Sequence, residues 1–241
     1  MIEAGERVIL AGGGREYYVT AGEGQIATDK GLIRLDTLPG KSPGDTILTH
    51  SGVPFVIRRP RSTDFFTHGK RSGAPMLPKD IGLVIAGTGM NRNDRVLDAG
   101  TGSGIAAIYF GGIAREVITC EAKPDFAKLA EKNIRDARLD NVTVISRDVL
   151  SAEGPFDVVH LDMLITAGHV RHAHRILVPG GYLACYTPFI EQMAVVIDAA
   201  HNLFPEVTTH ELIGREMTRT DRGTRPSTSV CHSGYVTIAR K

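Results

Sequence analysis

Val96-Leu97-Asp98-Ala99-Gly100-Thr101-Gly102-Ser103-Gly104-Ile105-Ala106-Ala107-Ile108 is the stretch on which the fold turns. An apolar run beginning at Arg95 leads straight into three glycines at alternate positions, and an apolar helix-like segment follows. Residues without a Cβ let the chain turn sharply after a strand and let backbone approach a ligand closely. The G-x-G-x-G spacing departs from the G-x-G-x-x-G of dinucleotide loops, in which a helix N-terminus is aimed at a pyrophosphate. Asp98 stands two residues before the first glycine and would repel a pyrophosphate. A carboxylate there suits a cationic ligand, by accepting from an amino group or by acting through water beside a sulfonium.

Outward from the loop, apolar strands alternate with helical patterns, which marks βαβ units on a parallel sheet. Strands are expected at Arg95–Asp98, Glu116–Cys120, Val142–Ile145, Phe156–Leu161 and Gly181–Tyr186. A helix fits Asp125 to Ala137, where Phe126, Leu129, Ala130, Ile134 and Ala137 recur on one face, and another fits Ile190 to Leu203. Two late strands, Val207–Ile213 and Tyr235–Ala239, suit a pair closing one edge of the sheet antiparallel. Glu121 ends the second strand, where a carboxylate can accept from both hydroxyls of an adenosine ribose. Asp148 follows the third strand, where an acceptor meets an adenine amino group. Open α/β sheets bind ligands at the carboxyl ends of their strands, and the three acids share that edge.

The texture before Pro78-Lys79-Asp80 is different. Short β-branched segments such as Arg7–Leu10, Tyr17–Thr20, Gly24–Ala27, Thr46–Thr49 and Pro54–Ile57 are separated by Gly, Pro and Asp turns, as in a small antiparallel β module. The expected division is an N-terminal module over 1–75 and an α/β domain over 76–241. The 241 residues are 42% hydrophobic and 23% charged, a balance that excludes disorder and collagen-like repeats. Twenty-eight Lys and Arg against 27 Asp and Glu leave a net charge of +1, so any basic surface is local. The three cysteines, Cys120, Cys185 and Cys231, have neither disulfide-framework nor zinc spacing. No apolar run approaches membrane-spanning length, and the first residues lack a basic start followed by an apolar stretch. A cytoplasmic protein is expected.

The segment Val96 to Gly104, with Glu121, Asp148 and Phe156-Asp157-Val158-Val159-His160-Leu161-Asp162, resembles the successive motifs of Rossmann-type methyltransferases that use S-adenosylmethionine. Three further segments narrow the resemblance. Pro78-Lys79-Asp80, then Pro179-Gly180-Gly181-Tyr182 with Tyr186-Thr187-Pro188 and Gln192, then Arg225-Pro226 with His232-Ser233-Gly234-Tyr235 are similar, in order and spacing, to the tRNA adenine-N1 methyltransferase family that modifies T-loop adenine 58. Gly22-Glu23-Gly24 and Leu38-Pro39-Gly40 in the N-terminal module are similar to it as well. The resemblance implies a seven-stranded Rossmann-like sheet whose last strand is antiparallel, S-adenosylmethionine as cofactor, tRNA as partner, and a homo-oligomer, usually a tetramer. It carries cofactor binding to Asp98, Gly100, Thr101, Gly102, Ser103, Gly104, Glu121 and Asp148. It carries catalysis to Asp162, which would accept from the exocyclic amino group of the target adenine, and to Tyr186, which would stack on the extruded base. Capping of a following helix is the structural alternative for Asp162, and packing on Phe189 is the alternative for Tyr186.

Two departures bear on the substrate. After its catalytic Asp the family carries a Pro and a Trp, whereas this chain reads Met163-Leu164-Ile165-Thr166 and has no Trp. Met76 and Leu77, not an aromatic, precede Pro78. Local charge favours RNA: Arg58, Arg59, Arg61, Lys70, Arg71 and Lys79 face one acid, Asp64, and Arg215, Arg219, Arg222, Arg225, Arg240 and Lys241 outnumber Glu216 and Asp221. His169, His172 and His174 form the densest histidine group, which reads as ordinary helix residues, since the chemistry needs no metal. Competing functions are repair of isoaspartate by carboxyl methylation, which would need neither the N-terminal module nor the basic clusters, and a noncatalytic tRNA-binding partner subunit.

Overall fold

In the computed structural model, which describes residues 1–228 and 231–241, the chain divides into two units, Met1–Gly69 with Arg135–Arg138, and Lys70–Ile134 with Leu139–Lys241. The first unit contains β1 (Arg7–Gly12), β2 (Arg15–Thr20), β3 (Gln25–Thr28), β4 (Gly31–Arg34), β5 (Thr46–Leu48), β6 (Pro54–Arg58) and the short helix α1 (Ser62–His68). Its antiparallel sheet has the order β2-β1-β6-β5, and β3 and β4 form a separate hairpin. Alternation along these strands sends Val8, Leu10, Val19, Ile47, Phe55 and Ile57 into one core with Ile33 and Leu38.

The second unit holds α2 (Pro78–Thr88), β7 (Arg95–Ala99), α3 (Ile105–Gly111), β8 (Glu116–Cys120), α4 (Pro124–Asp136, its last two residues grouped with the first unit), β9 (Val142–Ile145), β10 (Phe156–Leu161), α5 (Ala167–Ile176), β11 (Leu177–Thr187), α6 (Ile190–His201), β12 (Glu206–Glu211), β13 (Met217–Thr220), β14 (Gly223–Pro226) and β15 (Tyr235–Arg240). Seven strands run in the order β12-β15-β11-β10-β7-β8-β9. The five inner and right-hand strands pair in parallel, whereas β15 is antiparallel to both β11 and β12. This is the seven-stranded Rossmann-like sheet with an antiparallel last strand expected from the sequence.

The central strands are covered on both faces, so they read as nearly unbroken apolar runs. Leu97, Val159, Leu161, Leu183 and Cys185 pack with Val170 and Ile176 of α5 and Val196 of α6 in one cluster. Pro at the first position starts α2, and Gly89, with φ of 65°, ends it in the left-handed conformation. The hairpin β13–β14 is exposed at all eight positions. It has no buried face, which is why no hydrophobic alternation announces it in the sequence.

Strand register decides which side chains meet. His160 lies opposite Asp98 across β10 and β7, and Asp98 lies opposite Thr119 across β7 and β8. Three polar residues are thereby lined up across the middle of the sheet, close to the loop ends that form the site.

Candidate functional site

A cavity of about 490 Å³ opens at the carboxyl ends of β7, β8, β9 and β10, a size that fits a cofactor-sized ligand. Gly100, Thr101, Gly102, Ser103, Glu121, Asp148 and Asp162 all line it. The sheet thus brings together residues spread over more than sixty positions of sequence.

The glycine loop forms because β7 must turn beneath the end of β10. A Cβ built on Gly100 would lie 1.9 Å from the carbonyl oxygen of Asp162, and Gly100 has φ of +84°. The loop backbone and the Asp162 backbone therefore share space that only glycine leaves open. Gly104, with φ of 81°, caps α3 and packs on Ala130, without itself lining the cavity.

Glu121 is held at the cavity edge by two backbone donors. The Gly102 amide donates to Oε2 at 2.9 Å and the Lys123 amide to Oε1 at 2.9 Å. Each carboxylate oxygen keeps further acceptor capacity, so Glu121 is fixed yet able to receive a ligand hydroxyl. Asp148 caps a short 3-10 turn, its Oδ1 accepting from the Leu150 amide at 2.8 Å, and among the described residues nothing bonds Oδ2. Ile105, Phe126 and Val149 add apolar wall between these acids. Ser72 and Ser103 also line the cavity, and their buried hydroxyls find no partner among the described residues. Buried polar groups are normally satisfied. A glycine cradle, acceptors at two strand ends, apolar walls and two orphaned hydroxyls fit a ligand with an adenosine end and a polar, charged end.

Asp162 stands on the cavity wall just past β10. Its amide donates to the Ala99 carbonyl at 2.8 Å, while its carboxylate has no hydrogen bond among the described residues. Burial pushes its carboxyl up to about 6; His160 pulls the other way and Asp98 adds to the rise. The Asp caps no helix, because Thr166 occupies the N-cap of α5.

Asp98 is placed differently from the other acids. It is 2% exposed and does not line the cavity. Its Oδ1 meets His160 Nδ1 at 2.7 Å and its Oδ2 accepts from Thr119 Oγ1 at 2.5 Å, so both oxygens are engaged inside the protein. Tyr186 is also off the cavity wall. Its hydroxyl donates to the Ser233 carbonyl at 2.5 Å and its ring lies against Gly234, whereas Phe189 is largely exposed. Burial raises the Tyr186 phenol to about 12, with the charges of Asp80 and Asp162 contributing.

The structure also joins segments that the sequence shows far apart. Lys79 Nζ donates to Asp80 Oδ1 at 2.7 Å, to Ser233 Oγ at 2.6 Å and to the Leu212 carbonyl, and Ser233 Oγ donates to Asp80 Oδ2 at 2.7 Å. Asp80 is fully buried. Pro78-Lys79-Asp80 thus ties down both feet of the segment that carries β13 and β14, and through Ser233 it holds Tyr186.

Sequence reasoning missed Ser72, His160 and Asn133. Asn133 Nδ2 donates to the Ser103 carbonyl at 2.8 Å and to the Lys70 carbonyl at 2.9 Å, fastening the 70–76 segment to the glycine loop. A polar residue on the apolar face of α4, between Ala130 and Ile134, was the available signal. His160 gives no such signal, since only strand register reveals its partner.

The three histidines of α5 do not converge. His169 Nδ1 lies 3.0 Å from the Thr166 amide in a capping arrangement, His172 Nδ1 meets Arg175, and His174 packs edge-on to Phe204. Among the described residues one group could gather ligand atoms, Glu16, Asp64 and His68, but Glu16 already pairs with Arg58 at 2.9 Å and Asp64 caps α1. Cys120 and Cys185 are buried, and burial raises both thiols, Cys120 to about 11. Of the basic residues between 58 and 79, Arg58, Arg59 and Lys79 are committed to Glu16, Glu6 and Asp80. Arg219, Arg222 and Arg225 on the β13–β14 hairpin are exposed, with no ion pair among the described residues. No helix among the described residues is long and apolar enough to cross a membrane.

A family described as the GCD14 subunit of the tRNA methyltransferase complex matches residues 75–230. The tRNA (adenine(57)-N(1)/adenine(58)-N(1))-methyltransferase TrmI of Methanocaldococcus jannaschii is 30% identical over 94% of this chain and 92% of its own length. Among solved structures, a SAM-dependent O-methyltransferase of Thermotoga maritima aligns over 99% of this chain and 94% of its own, with a TM-score of 0.88 and 26% identity. The tRNA (m1A58) methyltransferase TrmI of Aquifex aeolicus aligns over 99% and 98%, with a TM-score of 0.81 and 26% identity.

Proposed function

The chain belongs to the tRNA methyltransferase family of GCD14 and TrmI, and from this premise we propose that it transfers a methyl group from S-adenosylmethionine to N1 of adenine 58 in the T-loop of tRNA. The observation that carries this reading is the Asp162 carboxylate, unbonded among the described residues, on the wall of a cavity that also presents Glu121 and Asp148. Glu121 would accept from the ribose hydroxyls, Asp148 from the adenine amino group of the cofactor, and Ser72 and Ser103 would serve its polar end. Gly100, Thr101, Gly102 and Gly104 shape the loop. Asp98, called to the cofactor site by the sequence, is buried with both oxygens bonded inside the protein and would support the loop from behind.

When bound, the cofactor supplies a methyl group on an electrophilic sulfonium. Adenine N1 carries its own lone pair, so the protein has little proton transfer to perform, and positioning dominates. As N1 becomes alkylated the ring turns cationic and its exocyclic amino group more acidic. Asp162 accepting from that amino group holds the transition state better than the ground state. Tyr186, whose phenol is raised by burial and by the charges of Asp80 and Asp162, would stand beside the target base.

This role requires the Asp162 carboxylate. With its carboxyl near 6, the active form dominates above that pH and is lost below it. Turnover on tRNA at saturating cofactor therefore falls about tenfold per pH unit below about 6 and levels off above it. A flat profile from pH 5 to 8 would exclude the carboxylate role.

For Glu121→Gln, isothermal calorimetry is expected to show cofactor affinity lower by about tenfold to a hundredfold, the value of a charge-assisted hydrogen bond. Turnover at saturation stays within about threefold, because Glu121 acts on binding. A large loss of turnover with affinity retained would move Glu121 out of the ribose site.

The substrate is tested by incubating the protein with labelled S-adenosylmethionine and either unmodified tRNA or an isoaspartyl peptide, then mapping methylated nucleosides by mass. 1-Methyladenosine at position 58 is the expected product. Label entering only the peptide would end the tRNA reading. The isoaspartate alternative is not favoured, because the family likeness extends through both units. A homo-oligomer, tetrameric as in the family resemblance, is part of the proposal. The fully exposed β13–β14 hairpin supports it, since an isolated two-stranded hairpin is marginal in water, and its arginines would face phosphate. A cytoplasmic location is part of the same proposal.

A further inference from the structure

Behind the cavity wall lies a polar chain that a core should not contain without cause. His160 is fully buried, Thr119 is fully buried, Asp98 is 2% exposed and Thr101 is 6% exposed. His160 Nδ1 meets Asp98 Oδ1 at 2.7 Å, Thr119 Oγ1 donates to Asp98 Oδ2 at 2.5 Å, and the hydroxyls of Thr119 and Thr101 bond to each other. Thr101 is on the cavity wall. A row that begins on β10 thus ends at the glycine loop.

The chemistry of this row is constrained. A carboxylate taken out of water is destabilised unless it is paired and hydrogen-bonded. Asp98 has two donors and, among the described residues, one partner able to carry positive charge, His160. Removing that partner strands a buried anion.

We propose that His160 is a positioning residue for methyl transfer: by holding Asp98 it fixes the Thr119 and Thr101 hydroxyls that brace the glycine loop. The inference rests on the proposed use of S-adenosylmethionine at that loop, and not on tRNA as the substrate.

His160→Asn and His160→Leu test this. Asparagine keeps an N–H donor for Asp98, and leucine offers none. Calorimetry with S-adenosylmethionine should show affinity within about threefold of wild type for the Asn variant and about tenfold or more weaker for the Leu variant, since only the latter leaves a buried acceptor unpaired. Equal cofactor affinity in wild type and a folded Leu variant would overturn the bracing role, and so would an Asn variant as weak as the Leu variant. Should the Leu variant fail to fold, Thr119→Val, which takes the bridging hydroxyl out of the row, is expected to weaken cofactor binding about tenfold, and unchanged affinity would overturn the proposal. If the wild-type protein transfers no methyl to tRNA, the functional reading fails, while the calorimetric comparison still judges His160.

Discussion

Asp162→Ala is expected to lower turnover on tRNA at saturating cofactor by about a hundredfold or more, with S-adenosylmethionine affinity within about threefold of wild type. The size follows from what the carboxylate does. A preorganised group aimed at charge that develops only in the transition state is worth about 10²–10³ in turnover, or about 2.7 kcal/mol and upward. The near-constant affinity follows from which atoms of the residue touch the loop. It is the backbone of Asp162 that abuts Gly100, and its amide that donates to Ala99. Alanine retains both. The side chain makes no hydrogen bond among the described residues whose loss would loosen the fold, and its removal relieves a carboxyl already disfavoured by burial. Asp162→Asn should lie between the two, because an amide oxygen still accepts from the adenine amino group but carries no charge; its pH profile should lose the limb near 6. Equal loss of turnover and affinity in the Ala variant would assign Asp162 to the cofactor site instead.

The parts of this arrangement that could be read from the sequence are those in which one strong local signal coincides with burial. Strands β7 and β10 announce themselves because both faces are covered, so Val96, Leu97, Val158, Val159 and Leu161 are all apolar. Glu121 and Asp162 could be located because each directly follows a strand, and Asp148 because it stands three residues past the end of β9; strand ends are where a parallel sheet presents ligands. Asp98 looked the same by that logic. Its environment differs because β7 is flanked by Thr119 and His160 in register, and no single-chain pattern encodes a cross-strand neighbour. The lining contributed by Ser72 was likewise hidden, since it depends on Asn133 fastening a distant loop. The β13–β14 hairpin escaped for the opposite reason. Met217-Thr218-Arg219-Thr220 and Gly223-Thr224-Arg225-Pro226 bury nothing, and without a buried face there is no period of two to detect. The matching of Pro78-Lys79-Asp80 with Ser233 shows a third case: both segments could be recognised, but their shared network around buried Asp80 required the fold.

The second large effect is expected at Gly100. Gly100→Ala should abolish measurable cofactor binding, a loss of more than about a hundredfold, and methyl transfer with it. Two costs coincide there. A φ of +84° disfavours any L side chain, and the new methyl would sit 1.9 Å from the carbonyl oxygen and 2.6 Å from the carbonyl carbon of Asp162. Neither atom belongs to a flexible side chain. Relief therefore means moving the glycine loop away from the end of β10, which separates Thr101 and Gly102 from the cavity and shifts Asp162 as well. Gly102 is the control. It too has a positive φ, +55°, but the nearest atom to an added Cβ is 3.8 Å away. Gly102→Ala should cost about 1 kcal/mol of stability for its backbone conformation alone, without forcing the loop from the strand. Thermal unfolding and calorimetry on the two variants distinguish close approach from conformational strain. If both lose stability equally and Gly100→Ala still binds cofactor as wild type does, the contact between Gly100 and Asp162 is not what holds the two halves of the site together.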